Sequence, residues 1–227
     1  MSAHVGQRRL TREHPRPQWM RHFARPEGFV GGIVGHFMAW KNAAFNRAAV
    51  EVLAPQADDH VLEIGYGPGT AIPLIAARAR NGTVTGVDAS ARMLTQASRR
   101  TRRLIAEGRV SLHKAPAASM PFADASFDRV LAVNNFHIWN DRNAALQEIA
   151  RVLKPGGTLM LAVRGAEARV GEYTPPGLGE EQIRLALEEL RHAGFEDPGT
   201  RRVHAGRELI AISGHTRAPE LPRKRSP

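Results

Sequence analysis

Ten residues, VLEIGYGPGT from Val61 to Thr70, constrain this chain more than any other stretch. An apolar run ends in three glycines at alternate positions, Gly65, Gly67 and Gly69, and a second apolar run follows at once. Glycines so placed mean that backbone, not side chain, must approach something closely. A strand that turns into a helix through such a bend is how an open α/β sheet presents a ligand crevice at the C-terminal ends of its strands. Free N–H groups at the start of the following helix favour a negative group there.

The flanking sequence has the matching alternation. HVLEIGY reads as a strand and GTAIPLIAARAR as a helix stopped by Asn81-Gly82. TVTGVDA is a second strand. Ser90 is placed to cap the helix ARMLTQASRRTRRLIAEG, with Gly108 at its end. VSLHKA and FDRVLAVNN give two more strands, NAALQEIARVL a helix closed by KPGG, and TLMLAVR a fifth strand. EEQIRLALEELRHAG reads as a helix after the proline-glycine loop YTPPGLG, with short strands around RRVHA and RELIAIS. Strand and helix taking turns predict a parallel sheet covered on both faces. Upstream, Val30, Ile33, Val34, Phe37, Met38 and Phe45 recur at helical spacing, so one or two helices are expected from about residue 30 until Pro55.

A dinucleotide would require G-x-G-x-x-G, with glycine at position 70. The residue there is Thr70, and the pattern is instead E-x-G-x-G-x-G from Glu63 to Gly69. In this the chain resembles the class I S-adenosylmethionine-dependent methyltransferases, and within them the ubiquinone/menaquinone-biosynthesis-like (type 11) group. The resemblance runs from about residue 61 to 164. VLEIGYGPGT resembles the first motif of that family and GVDAS the second. MPFADASFDRV resembles the stretch before strand four, and EIARVLKPGGTLML the helix, turn and strand after it. The resemblance implies a Rossmann-like doubly wound sheet of seven strands, mostly parallel with the last strand antiparallel, and an N-terminal helical lid.

It also implies S-adenosylmethionine as cofactor and S-adenosylhomocysteine as product. Asp88, 19 residues beyond Gly69, is placed to accept hydrogen bonds from two ribose hydroxyls. Glu63, Gly65, Tyr66, Gly67 and Gly69 form the elbow, and Ala89 and Met93 lie beside the adenine, although Met93 reads equally well as core. Asn134 sits near the methionine end. One position departs from the family: the Asp that touches the adenine amino group is here Pro116, in APAASMPF. Adenine recognition then falls to the backbone of Ala117 or Ala118, or to Met120, and weaker cofactor binding is expected.

Methyl transfer from a sulfonium is an in-line displacement for which alignment supplies much of the catalysis. A general base is needed only for a protonated acceptor. His137, in VNNFHIWND after strand four, is the candidate base or orienting group, and Trp139 a candidate wall of the acceptor pocket. In similar enzymes the segment before the first strand is a lid that supplies substrate contacts, here His36, Phe37, Trp40 and Lys41. An apolar stripe is also what core packing produces.

The formal net charge of +10 sits largely at the ends: six Arg against two Glu in residues 1–27, three Arg and one Lys against one Glu in 215–227. The expected organisation is a basic flexible arm (1–27), a methyltransferase domain (28–214, with 28–54 as lid) and a basic disordered tail (215–227). Cysteine is absent, which excludes thiol nucleophiles, disulfides and Cys-ligated zinc. GFVGGIVGHFMAW is too short for a membrane span, and no secretory signal is evident, so a cytoplasmic protein is the default. The expected partner is a small-molecule methyl acceptor, with neither metal nor nucleic acid. The alternatives are an RNA or protein methyltransferase that uses the basic termini, and an S-adenosylmethionine-binding protein that transfers no methyl group. Oligomeric state is not legible.

Overall fold

The computed structural model describes residues 43–166 and 177–218. His36, Phe37, Trp40 and Lys41, and the expected lid up to residue 42, lie outside the described residues. What is described of that segment is helix α1 (Ala43–Leu53), whose Phe45, Ala48, Ala49, Val50 and Leu53 are buried.

The alternation then appears as read. β1 (Val61–Ile64) leads to α2 (Ile72–Arg78), and β2 (Val84–Asp88) to α3 (Ala91–Ala106) and β3 (Val110–Lys114). β4 (Phe127–Val133) passes through a 3-10 turn, Phe136–Ile138, into α4 (Arg142–Val152) and β5 (Leu153–Arg164). α5 (Glu180–His192), β6 (Glu196–His204) and β7 (Glu208–His215) follow. The Ser90 hydroxyl accepts from the Met93 N–H at 3.4 Å, capping α3 as expected. Asp141 caps α4 in the same way through the Ala144 N–H, at 2.9 Å. β7 runs one residue into the stretch read as tail. Thr216 is still tied to the sheet, its N–H donating to the Gly157 carbonyl at 2.9 Å.

The seven strands are ordered β3-β2-β1-β4-β5-β7-β6. The first five pair in parallel. β7 runs antiparallel to both β5 and β6. Successive residues of a strand point to opposite faces, and the two cores follow from that. Leu62, Ile64, Leu159 and Leu161 pack on one face with Leu146 and Ile149 of α4 and Ile183 and Leu190 of α5. Val61, Met160 and Ala162 pack on the other with Phe45 of α1, Ile72 and Ile75 of α2 and Ala97 of α3. A one-residue slip of β5 would exchange these faces, so burial on both sides holds the register. The chain winds outward from β1 in one direction and from β4 in the other. The crevice where ligands bind such a sheet therefore opens between the C-terminal ends of β1 and β4. No helix among the described residues is long and apolar enough to cross a membrane.

Candidate cofactor and acceptor site

The elbow after β1 answers the glycine question residue by residue. All three glycines have positive φ: +64° at Gly65, +53° at Gly67 and +74° at Gly69. Their reasons differ. A Cβ at Gly65 would lie 2.2 Å from Asn135 Nδ2, and one at Gly69 would lie 2.9 Å from the Cβ of Ala97 on α3. Those two glycines also answer to the protein's own packing. Only at Gly67 would a Cβ meet nothing within 4 Å.

Asp88, at the tip of β2, faces this loop. Its Oδ2 accepts from the Gly67 N–H and its Oδ1 from the Ser90 N–H, both at 2.9 Å. One carboxylate thus fastens the elbow to the start of α3. Burial raises its pKa above the usual carboxylate value, against the lowering effect of the two backbone bonds. Arg100 supports the loop from α3, its Nε donating to the Pro68 carbonyl at 2.9 Å. α1 is fastened there too, the Asn46 amide donating to the Thr70 hydroxyl at 2.7 Å.

Glu63 is buried on β1 between β2 and β4. Its Oε2 has no hydrogen-bond partner among the described residues. Burial, with the nearby Asp88 charge, pushes its pKa up to about 8. At the end of β4, Asn135 Nδ2 donates to the Ile64 carbonyl at 2.5 Å, locking the exit of β1 against the exit of β4. Asn134 takes a positive φ of +52°. Its Nδ2 and the Oδ1 of Asn135 are buried without partners among the described residues. Buried polar atoms are costly unless they are paired. Three such atoms follow the strand ends around one crevice.

On the β5 side of Asn134 a small cleft is lined by Asn134, His137, Val163, Arg164, Gly177 and Leu178. His137 lies on the 3-10 turn, partly buried. Burial, reinforced by the charges of Arg164 and Arg142, pushes its pKa down to about 4. Trp139 packs edge-on against Phe136 at 5.3 Å.

A protein-family model described as a methyltransferase domain matches residues 62–161. A Bacillus subtilis (strain 168) protein described as the uncharacterized methyltransferase YdaC is 32% identical over 165 residues, 73% of this chain and 87% of that protein. This chain is a class I S-adenosylmethionine-dependent methyltransferase of the type 11 group. The methyltransferase is also 34% identical over 157 residues to the 27-O-demethylrifamycin SV methyltransferase of Amycolatopsis mediterranei (strain S699), covering 64% of this chain and 57% of that one. The crystal structure of a SAM-dependent methyltransferase from Aquifex aeolicus shares the fold, with a TM-score of 0.64 at 21% identity, over 77% of this chain and 92% of that one.

The methyltransferase uses S-adenosylmethionine, and the crevice fits that molecule. A bare-backbone position stands open at Gly67, an acid faces it at Asp88, and the orphaned Glu63 Oε2 and Asn134 Nδ2 offer an acceptor and a donor to the charged groups of an amino acid. Other residues read from the sequence are placed less directly. The Tyr66 side chain is buried in the core, its hydroxyl donating to the His113 carbonyl at 3.3 Å, so toward the crevice it has only backbone to offer. Met93 is buried in the core beside Ala97. Ala89 is exposed after β2. Pro116 and Ala118 are exposed and Ala117 half-buried, while the Met120 N–H is already given to Glu148 Oε1 at 2.7 Å. That bond removes the Met120 N–H from adenine recognition. Arg164 and the Asn46–Thr70 link were not identified from sequence, and Asn135 only as one of two residues ending β4 at the crevice. Asn135 had a visible signal in the polar pair closing β4, and Arg164 in the charge that ends the apolar run of β5. Among the described residues no group of three His, Cys, Asp or Glu converges on a metal-sized site.

Proposed function

We propose that this methyltransferase methylates a small molecule with an apolar body, by alignment more than by a dedicated base. When bound, S-adenosylmethionine supplies a sulfonium-activated methyl group open to in-line displacement. Asp88 takes the ribose hydroxyls, with oxygens already oriented by the Gly67 and Ser90 N–H groups. Gly65, Gly67 and Gly69 with the Tyr66 backbone form the floor, and Ala89 with Met93 flanks the adenine. The N–H groups of Ala117 and Ala118 are left to read the base edge. Glu63 and Asn134 hold the methionine end. The observation that carries this reading is the Asp88–Gly67 bond, which sets the acid against the one open glycine of the elbow.

The acceptor lies in the cleft beyond Asn134. His137 is neutral at pH 7, with a pKa of about 4. It is therefore unprotonated but a weak base, since a good proton acceptor has a pKa near the working pH. It orients the acceptor by hydrogen bonding, and Trp139 closes the wall. His36, Phe37 and Trp40 are the candidate acceptor contacts from the segment before the first strand, whose described end is joined to the cofactor loop where Asn46 meets Thr70. A small acceptor is supported by the relative that acts on 27-O-demethylrifamycin SV. Incubating the protein with methyl-labelled S-adenosylmethionine and cell extract tests this. The expected result is label in a small-molecule product, with S-adenosylhomocysteine formed in equal amount. Label in RNA or protein, or none with the cofactor bound, overturns it.

A further inference from the structure

Arg164, the last residue of β5, lines the acceptor cleft and is partly buried. Its guanidinium makes no ion pair or hydrogen bond among the described residues. Arg129 and Arg151, also partly buried, are matched, Arg129 with Asp59 at 2.6 Å and Arg151 with Glu148 at 2.8 Å. Among the described residues Glu208, packed against Gly165, pairs with Arg202 at 2.8 Å. Arg142 on the neighbouring side pairs with Glu189 at 3.3 Å and lies over the Phe136 ring.

Arg207 adds to the imbalance. Burial, and after it the Arg207 charge, lowers the Arg164 pKa. Like charges brought together in a half-buried place are unfavourable unless an anion joins them. The other polar groups of the cleft repeat the bias. Asn134 Nδ2 is a buried donor without a partner among the described residues, and burial, then the charges of Arg164 and Arg142, lowers the His137 pKa. A guanidinium fork is the usual recognition geometry for a carboxylate or phosphate. Val163 and Leu178 leave the remaining wall apolar.

We propose that Arg164 grips an anionic group on the methyl acceptor, so that the substrates are carboxylates or phosphate monoesters with an apolar body. This rests on the reading of the cleft as the acceptor site. The anion is held and not methylated; the nucleophile lies elsewhere on the same molecule.

The test is an NMR titration of the full chain saturated with S-adenosylhomocysteine, using benzoate, phenyl phosphate and the neutral isostere benzamide. Benzoate or phenyl phosphate is expected to shift the resonances of His137, Asn134 and Leu178 and to bind about tenfold or more tighter than benzamide. Which of the two anions binds better assigns the carboxylate or phosphate class. Arg164→Gln should abolish the preference, and Arg164→Lys, which keeps charge but loses the fork, should restore part of it. Equal binding of benzamide, no binding of either anion at millimolar concentration, or an unchanged preference in Arg164→Gln overturns the proposal. Affinity for S-adenosylhomocysteine is measured on the same samples. If the wild type does not bind it, the cofactor reading itself fails. If Arg164→Gln weakens that affinity instead, the arginine serves the cofactor and the acceptor proposal is wrong.

Discussion

Gly67 and Asp88 are joined across two strands, the glycine N–H donating to the aspartate Oδ2 at 2.9 Å. The bond makes Asp88 both a ligand group and the clamp that shapes the loop. Asp88→Ala is therefore expected to weaken S-adenosylhomocysteine binding by about tenfold or more, about 1.4 kcal/mol. Calorimetric titration would show it, and an affinity within twofold of wild type would refute the assignment.

The three glycines should separate in mutagenesis. Gly65→Ala forces Asn135 off its bond to Ile64 and takes a strained backbone besides. Gly67→Ala meets no neighbour and suffers only the positive φ, about 1 kcal/mol. Thermal unfolding should show the larger loss for Gly65→Ala, at about 2–4 °C per kcal/mol for a domain of this size. Gly67→Ala should instead lose cofactor affinity while remaining folded. The reverse order of effects would mean that the ligand approaches at Gly65.

Restoring the family acid should help. With Pro116 exposed and the Met120 N–H committed to Glu148, adenine recognition lacks a carboxylate. Pro116→Asp is expected to tighten S-adenosylmethionine binding several-fold, read by titration of both proteins. Unchanged or weaker binding counts against a missing adenine contact.

Glu63 makes the unliganded fold sensitive to pH. The folded chain keeps the Glu63 proton up to about pH 8, while the unfolded chain releases it near the ordinary value of 4.5. The folded state thus binds more protons between those values, and stability contributed by this group falls as pH rises through that window. Glu63→Gln should raise the melting temperature of the cofactor-free protein more at pH 8 than at pH 5, and should weaken cofactor binding. A melting temperature gain equal at both pH values would show that Glu63 is not the titrating group.

His137→Gln should leave kcat within about tenfold of wild type, since a well-matched base contributes about 10²–10⁴-fold and a base with a pKa near 4 is poorly matched. Steady-state rates of S-adenosylhomocysteine release, once an acceptor is found, decide this. A loss of a thousandfold would make His137 the base.

Much of this was legible in one dimension because it depends on local chemistry. The period of the apolar residues specified the strands and helices, Ser90 announced its helix, and the motifs from Glu63 to Asp88 carried the family resemblance that implied the cofactor. The two core faces follow from alternation along β1, β4 and β5 alone. Other features needed the chain to meet itself. That Gly65 and Gly69 answer to Asn135 and Ala97, and that the Met120 N–H belongs to Glu148, are contacts between residues 28 to 70 positions apart. Periodicity carries no information at that range. Whether a charged side chain is paired is decided only when packing has chosen its neighbours.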